Sequence, residues 1–225
     1  MLHQEGLYGM GVSITNHFGL HDLNSGSLAF VLGNTRQKMG MYYYHTGNRY
    51  FGNGSGGLSI AQRLHTSFIG GIQLAYMNIY AHNYASYHYA SGSISGIYSM
   101  TSDFHAAFSL ILPSALISTD NPFRDLRQQR SLALGVQHQI NPNVMIQLEC
   151  EVFDIFRTDY RVAAQYQASE HITLQTGFSV LQQKINYGFI YHNKLNICVA
   201  FAYHNQLGHT ITSDVWIQKN SMQGM

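Results

Sequence analysis

The sequence predicts a closed, antiparallel, all-β transmembrane barrel of about 14 strands, and three observations carry that prediction. Apolar residues recur at a spacing of two along nearly the whole chain, with no sustained 3.6-residue stripe. Turn-forming clusters punctuate it at regular intervals. Charged residues make up only 10% of the chain, against about 25% in ordinary soluble domains, so something other than charge must cover the outer surface.

The alternation is clearest in VMIQLECEV, where Val144, Ile146, Leu148, Cys150 and Val152 share one face and Gln147, Glu149 and Glu151 the other. DYRVAAQYQ places Tyr160, Val162, Ala164 and Tyr166 opposite Arg161, Gln165 and Gln167. HITLQTGFSV groups Ile172, Leu174, Thr176, Phe178 and Val180, with Gln175 opposite. Gln73 falls on the polar face of its own segment. One oily and one wet face on strand after strand suits a wall between lipid and a lumen. A soluble sandwich would instead show a polar outer face and charged edges.

Short turns are expected at NTRQ from Asn34, HTS from His65, TSD from Thr101, NPN from Asn141, SEH from Ser169 and HNK from His192. Longer connections are expected at HTGNRYFGNGSG, at AHNYASY and from Pro113 to Arg127. Tight turns on one rim and long loops on the other are the pattern of outer-membrane barrels, with short periplasmic turns, longer extracellular loops and both termini on the periplasmic side. At 225 residues the whole chain, 1–225, is expected to form a single barrel domain.

The charges give an independent test. Of the 23 charged side chains, Arg63, Glu149, Glu151, Arg161 and Asp214 fall well inside predicted strands, each opposite the main apolar face. A charge facing the bilayer midplane costs about 2–4 kcal/mol, whereas one facing the lumen is hydrated or paired. Arg63, Glu149, Glu151 and Arg161 are therefore the candidate lumen charge cluster, and Gln73, Gln147, Gln165 and Gln175 the candidate polar lining. Tyr42, Tyr43 and Tyr44, then Tyr76 and Tyr80, then Tyr187 and Tyr191 fall near predicted strand ends. With Trp216, Tyr42, Tyr44, Tyr76, Tyr80, Tyr187 and Tyr191 form the expected interface aromatics, their rings buried and their polar atoms wet.

Several functions are disfavoured. No run of about 18 apolar residues exists to form a spanning helix. A net charge of +1 without a Lys/Arg-rich run argues against nucleic-acid binding. Thirteen histidines invite a metal reading, but neither the pair His82 and His88 nor the pair His204 and His209 belongs to a ligand motif, and no metal or other cofactor is expected. Glu149 and Glu151 beside Arg161 have the makings of an acid/base pair, yet a neighbouring cation favours a structural or permeation role, and no nucleophile motif accompanies them. A stacking platform for a glycan in YAHNYASYHY is the alternative to an ordinary aromatic girdle. Cys150 and Cys198 lie in different strands far apart in order, which argues against a bridge. MLHQEGLYGMG has neither a basic n-region nor an apolar h-region, so an exported chain is expected to be a processed, trimmed or N-terminally incomplete form.

Four stretches, GVSITNHFGLHDLNSGSLAF, GGLSIAQRLHTSFIGGIQLAYMNI, FHAAFSLILP and AYHNQLGHTITSDVWI, together resemble the FadL-like outer-membrane proteins grouped with the PorV and PorQ components of type IX secretion. The resemblance implies a bacterial outer-membrane location, surrounding lipid as a partner, and conduction of a small solute, an apolar one included. It equally implies a docking subunit for secretion or envelope proteins; an outer-membrane hydrolase is the weakest reading. Two departures from the family stand out: the sequence starts almost at a strand, so the Gly-rich segment that feeds an N-terminal plug in the family is not expected, and it ends in VWIQKNSMQGM without a terminal aromatic, for which Trp216 is the expected substitute.

Overall fold

In the computed structural model, described for residues 6–83, 86–113, 115–117, 130–153, 157–205 and 207–220, the chain is almost entirely strand. The first seven strands are β1 (Gly6–His17), β2 (Ser25–Gly33), β3 (Gln37–Gly47), β4 (Phe51–His65), β5 (Phe68–Ala81), β6 (Tyr87–Ser99) and β7 (Phe104–Ile111). A two-residue strand, β8 (Ala115–Leu116), continues along β6 beyond the end of β7. The others are β9 (Ser131–Asn141), β10 (Val144–Phe153), β11 (Arg157–Gln167), β12 (Ile172–Ser179), β13 (Lys184–Tyr191), β14 (Leu195–His204) and β15 (Gly208–Asn220).

Each long strand pairs antiparallel with its sequence neighbours, β1 pairs with β15, and the β5–β6 ladder completes the ring. Setting β8 aside, the wall is a closed barrel of fourteen strands. Closure leaves no edge with unpaired backbone groups, which a membrane interior would not tolerate.

The predicted turns all fall on the rim that also holds both ends of the described chain, Gly6 and Asn220. Local chemistry closes several of them. Asn34 Oδ1 accepts the backbone N–H groups of Arg36 and Gln37, Asn141 Oδ1 those of Asn143 and Val144, and Thr101 Oγ1 those of Asp103 and Phe104. The opposite, far rim departs from expectation at HTGNRYFGNGSG. Only residues 48–50 lie outside strands there, because Asn48 caps another tight turn and Gly47 adopts φ 113°. A Cβ at Gly47 would stand 2.2 Å from the Phe51 carbonyl oxygen, so this hairpin requires glycine. Within AHNYASY, Tyr84 and Ala85 lie outside the described residues, and Tyr87, His88 and Tyr89 belong to β6 rather than to a loop. Most of the expected loop from Pro113 to Arg127 lies outside the described residues.

Burial is inverted relative to a soluble protein. Among the described residues only Ile69, Tyr89 and Ala202 are buried apolar side chains, while Leu74 is 71% and Ile14 63% exposed. The exposed apolar residues follow one parity around the ring: Met10 opposite Phe30, Phe30 opposite Met41, Met41 opposite Leu58, Leu58 opposite Leu74. Such an outer belt is stable only against lipid.

Candidate functional site in the barrel lumen

The opposite parity lines the interior with Ser, Thr, Gln, Asn, Gly and charged residues, interspersed with apolar ones such as Val31, Ile97 and Ile190. Small residues such as Gly9, Gly135 and Gly177 keep the wall thin, and the lumen contains a cavity of about 960 Å³. Lys38, His105, Gln137, Glu149, Arg161 and Trp216 reach it from widely separated strands. The cavity therefore runs across the barrel.

The charge cluster is built by register. In the β10–β11 ladder Glu149 faces Arg161 and Glu151 faces Asp159. Arg161 Nη1 meets Glu149 Oε1 at 2.6 Å, Nη2 meets Glu151 Oε2 at 2.6 Å, and Nε meets Asp159 Oδ2 at 2.7 Å. Asp159, fully buried, also accepts the Ser179 hydroxyl at 2.9 Å and the Leu181 backbone N–H at 2.9 Å. A buried carboxylate needs such partners to stay charged. Three carboxylates around one guanidinium leave two negative charges on this patch.

Every partner in this cluster comes from β10, β11, the end of β12 or the turn that follows it, so Arg161 is folded back onto its own wall. Among the described residues nothing in the cluster reaches across the barrel. Arg63, expected in the cluster, does not belong to it. It sits exposed on β4, five strands away around the ring, next to a register irregularity at His65. Strands also hold more charge than predicted, because Lys38, Arg157, Asp159 and Lys184 lie within them. β11 begins at Arg157, which places Asp159 inside the strand; residues 154–156 lie outside the described residues.

Gln73, Gln147, Gln165 and Gln175 all face the lumen. Gln73 donates to Tyr42 Oη at 3.3 Å and Gln147 to Gln137 Oε1 at 3.1 Å. Gln165 and Gln175 are register partners beside a recess of about 240 Å³.

The aromatic assignments divide. Tyr76, Tyr80, Tyr187 and Tyr191 face outward. Tyr80 and Tyr191 stand at or near strand ends, and Tyr80 donates to the Asn48 carbonyl at 2.7 Å. Tyr187 lies midway along β13 and stacks on Phe201, with ring centroids 5.4 Å apart. Tyr42 and Tyr44 are not interface residues. Consecutive strand residues cannot share a face, so with Tyr43 on the lipid side its two neighbours point inward, Tyr42 to Gln73 and Tyr44 to Thr46. Trp216 also points inward, because Val215 and Ile217 take the outer face; it is the register partner of Gly11 on one side and Asn196 on the other. The tryptophan is a lumen residue, not a membrane anchor.

Among the described residues no group of three or more His, Cys, Asp or Glu is arranged to hold a metal. His88 lies in β6 rather than in a loop with His82. Cys150 faces outward on β10 and Cys198 inward on β14, both as free thiols.

This geometry defines a class of protein, a closed β-barrel with a lipid-facing belt and a polar, partly hollow lumen. Solved structures share the fold. The chain is similar to the CymD monoaromatic hydrocarbon channel (TM-score 0.70, 12% identity, covering 97% of this chain and 89% of that one). It is likewise similar to the toluene transporter TbuX of Ralstonia pickettii (0.68, 10%, 96% and 90%) and to the KdgM porin (0.52, 8%, 93% and 98%). No family model and no curated protein matches the sequence. The likeness to PorV and PorQ accordingly rests on the four stretches quoted above.

Proposed function

We propose that the protein is a bacterial outer-membrane channel that passes small polar solutes, and that it acts without catalysis. One observation carries this reading: the inward parity of a closed, lipid-belted barrel carries charged and amide side chains among small and apolar ones and encloses a cavity of about 960 Å³. Eight-stranded barrels are just filled by side chains, whereas wider ones leave aqueous space, and fourteen strands lined by small residues fall on the wider side. The structural neighbours, a monoaromatic hydrocarbon channel, a toluene transporter and a porin, support the channel part of this reading and not its polar solute class.

The charged and amide groups in the lining favour a polar solute over an apolar one. A hydrocarbon crossing past Glu149, Gln137, Gln147 and Asn196 would strip water from groups to which it offers no hydrogen bond.

Purified protein reconstituted in planar bilayers should give discrete conductance steps, and proteoliposomes should swell in small polyols. Folded protein that produces neither would overturn the channel reading.

A further inference from the structure

We propose that Trp216 and Asn196 form a saccharide subsite within the lumen, an inference that rests on the channel reading and names its solute class. The tryptophan ring is laid against the wall. An ideal Cβ at Gly11 would stand 2.4 Å from Cε2, 2.6 Å from Cδ2 and 2.7 Å from Cζ2. Being close to both carbons of the ring-fusion bond places that point over the face of the indole, not at its edge. The absence of a side chain at Gly11 thus makes the seat, and the half-buried ring lines the 960 Å³ cavity.

Asn196, the register partner of Trp216 on β14, lines the same cavity. Its Oδ1 lies 3.3 Å from His192 Nδ1, and His192 Nε2 lies 2.9 Å from Thr173 Oγ1. Because Oδ1 only accepts, Nδ1 carries the imidazole proton and Nε2 accepts the Thr173 hydroxyl. This relay orients the amide and leaves Asn196 Nδ2 without a partner among the described residues.

An aromatic face beside an oriented, unengaged amide N–H group matches a pyranose. Its C–H groups carry positive potential toward the negative π face, and its hydroxyls accept from the amide. A flat hydrocarbon would use the ring equally well but would leave the Asn196 amide N–H group desolvated and unpaired.

Trp216 is the sole tryptophan of the chain, so its emission reports on this site alone. Folded barrel in detergent should be titrated with maltotriose, trigalacturonate and toluene, with block of bilayer conductance read in parallel. The expected result is a saturable emission change and current block from at least one of the two sugars and none from toluene; the two sugars separate a neutral from an acidic solute. Asn196→Leu should weaken sugar binding about fivefold, the scale of one net hydrogen bond. Asn196→Ser, checked for folding by heat modifiability, should weaken it in the same direction. Silence from both sugars, unchanged affinity in both variants, or a saturable response to toluene would overturn the subsite. Conductance without a sugar response removes the subsite and leaves the channel. A sugar response without conductance removes the channel and leaves the binding site.

Discussion

Arg161 and Asp159 stand two residues apart on one face of β11, and the guanidinium Nε closes onto the buried carboxylate at 2.7 Å. This contact along the strand turns Arg161 sideways, so that its two terminal nitrogens meet Glu149 and Glu151 on β10. The arginine is thereby engaged at all three nitrogens.

Removing it isolates a charge that cannot reach solvent. Arg161→Ala should destabilise the barrel by on the order of 3 kcal/mol, read as a lower urea midpoint in refolding from detergent. Asp159→Asn in the same chain should restore part of that loss, because the neutral amide needs no counter-charge. Additive losses in the double variant would show that the two residues are not coupled.

The same patch carries two net negative charges on one side of the lumen, which should raise local cation concentration along that wall. A potassium chloride gradient across a bilayer should therefore give a reversal potential on the cation-selective side. Glu149→Gln combined with Glu151→Gln should move it toward zero or beyond. An unchanged potential in the folded double variant would take the patch out of the permeation path.

Register predicts opposite fates for adjacent substitutions on β10. Leu148 is 52% exposed on the lipid face, whereas Gln147 faces the lumen and bonds to Gln137. Leu148→Arg should cost about 2–4 kcal/mol near mid-membrane and reduce the folded, heat-modifiable fraction. Gln147→Arg should leave that fraction near wild type. Equal losses from the two would mean the faces are wrongly assigned.

The barrel was legible because its physical signal is redundant: parity recurs strand after strand, and a one-residue slip would put Glu149 or Arg161 into lipid. The lumen was less legible. Tyr42, Tyr43 and Tyr44 read alike as residue types, and only the register of Met41 and Tyr43 with Phe30 and Leu28 shows which of them is outside. Trp216 reads as a membrane anchor by residue type, and only the parity of Val215 and Ile217 beside it places it in the lumen. Asp159 had no signal beyond parity, since its role depends on Ser179 and Leu181 from another hairpin. Arg63 shares parity with the cluster but not its position, and one-dimensional pattern cannot tell neighbours from residues across the ring.

The seat of Trp216 supplies a last prediction with its own control. A methyl group at Gly11 would enter the ring at 2.4–2.7 Å and force the indole off the wall, whereas one at Gly9 would meet Cζ3 at 3.9 Å, an ordinary contact. Gly11→Ala should therefore push the ring into the lumen, with more efficient quenching of its emission by acrylamide and a smaller single-channel conductance. Gly9→Ala should change neither. Both glycines lie on β1 with the same inward parity, so a general weakening of that strand would affect the two variants alike. Equal behaviour of Gly11→Ala and Gly9→Ala would mean that the ring does not rest on Gly11, and an unseated ring could not present the fixed aromatic face that the lumen site requires.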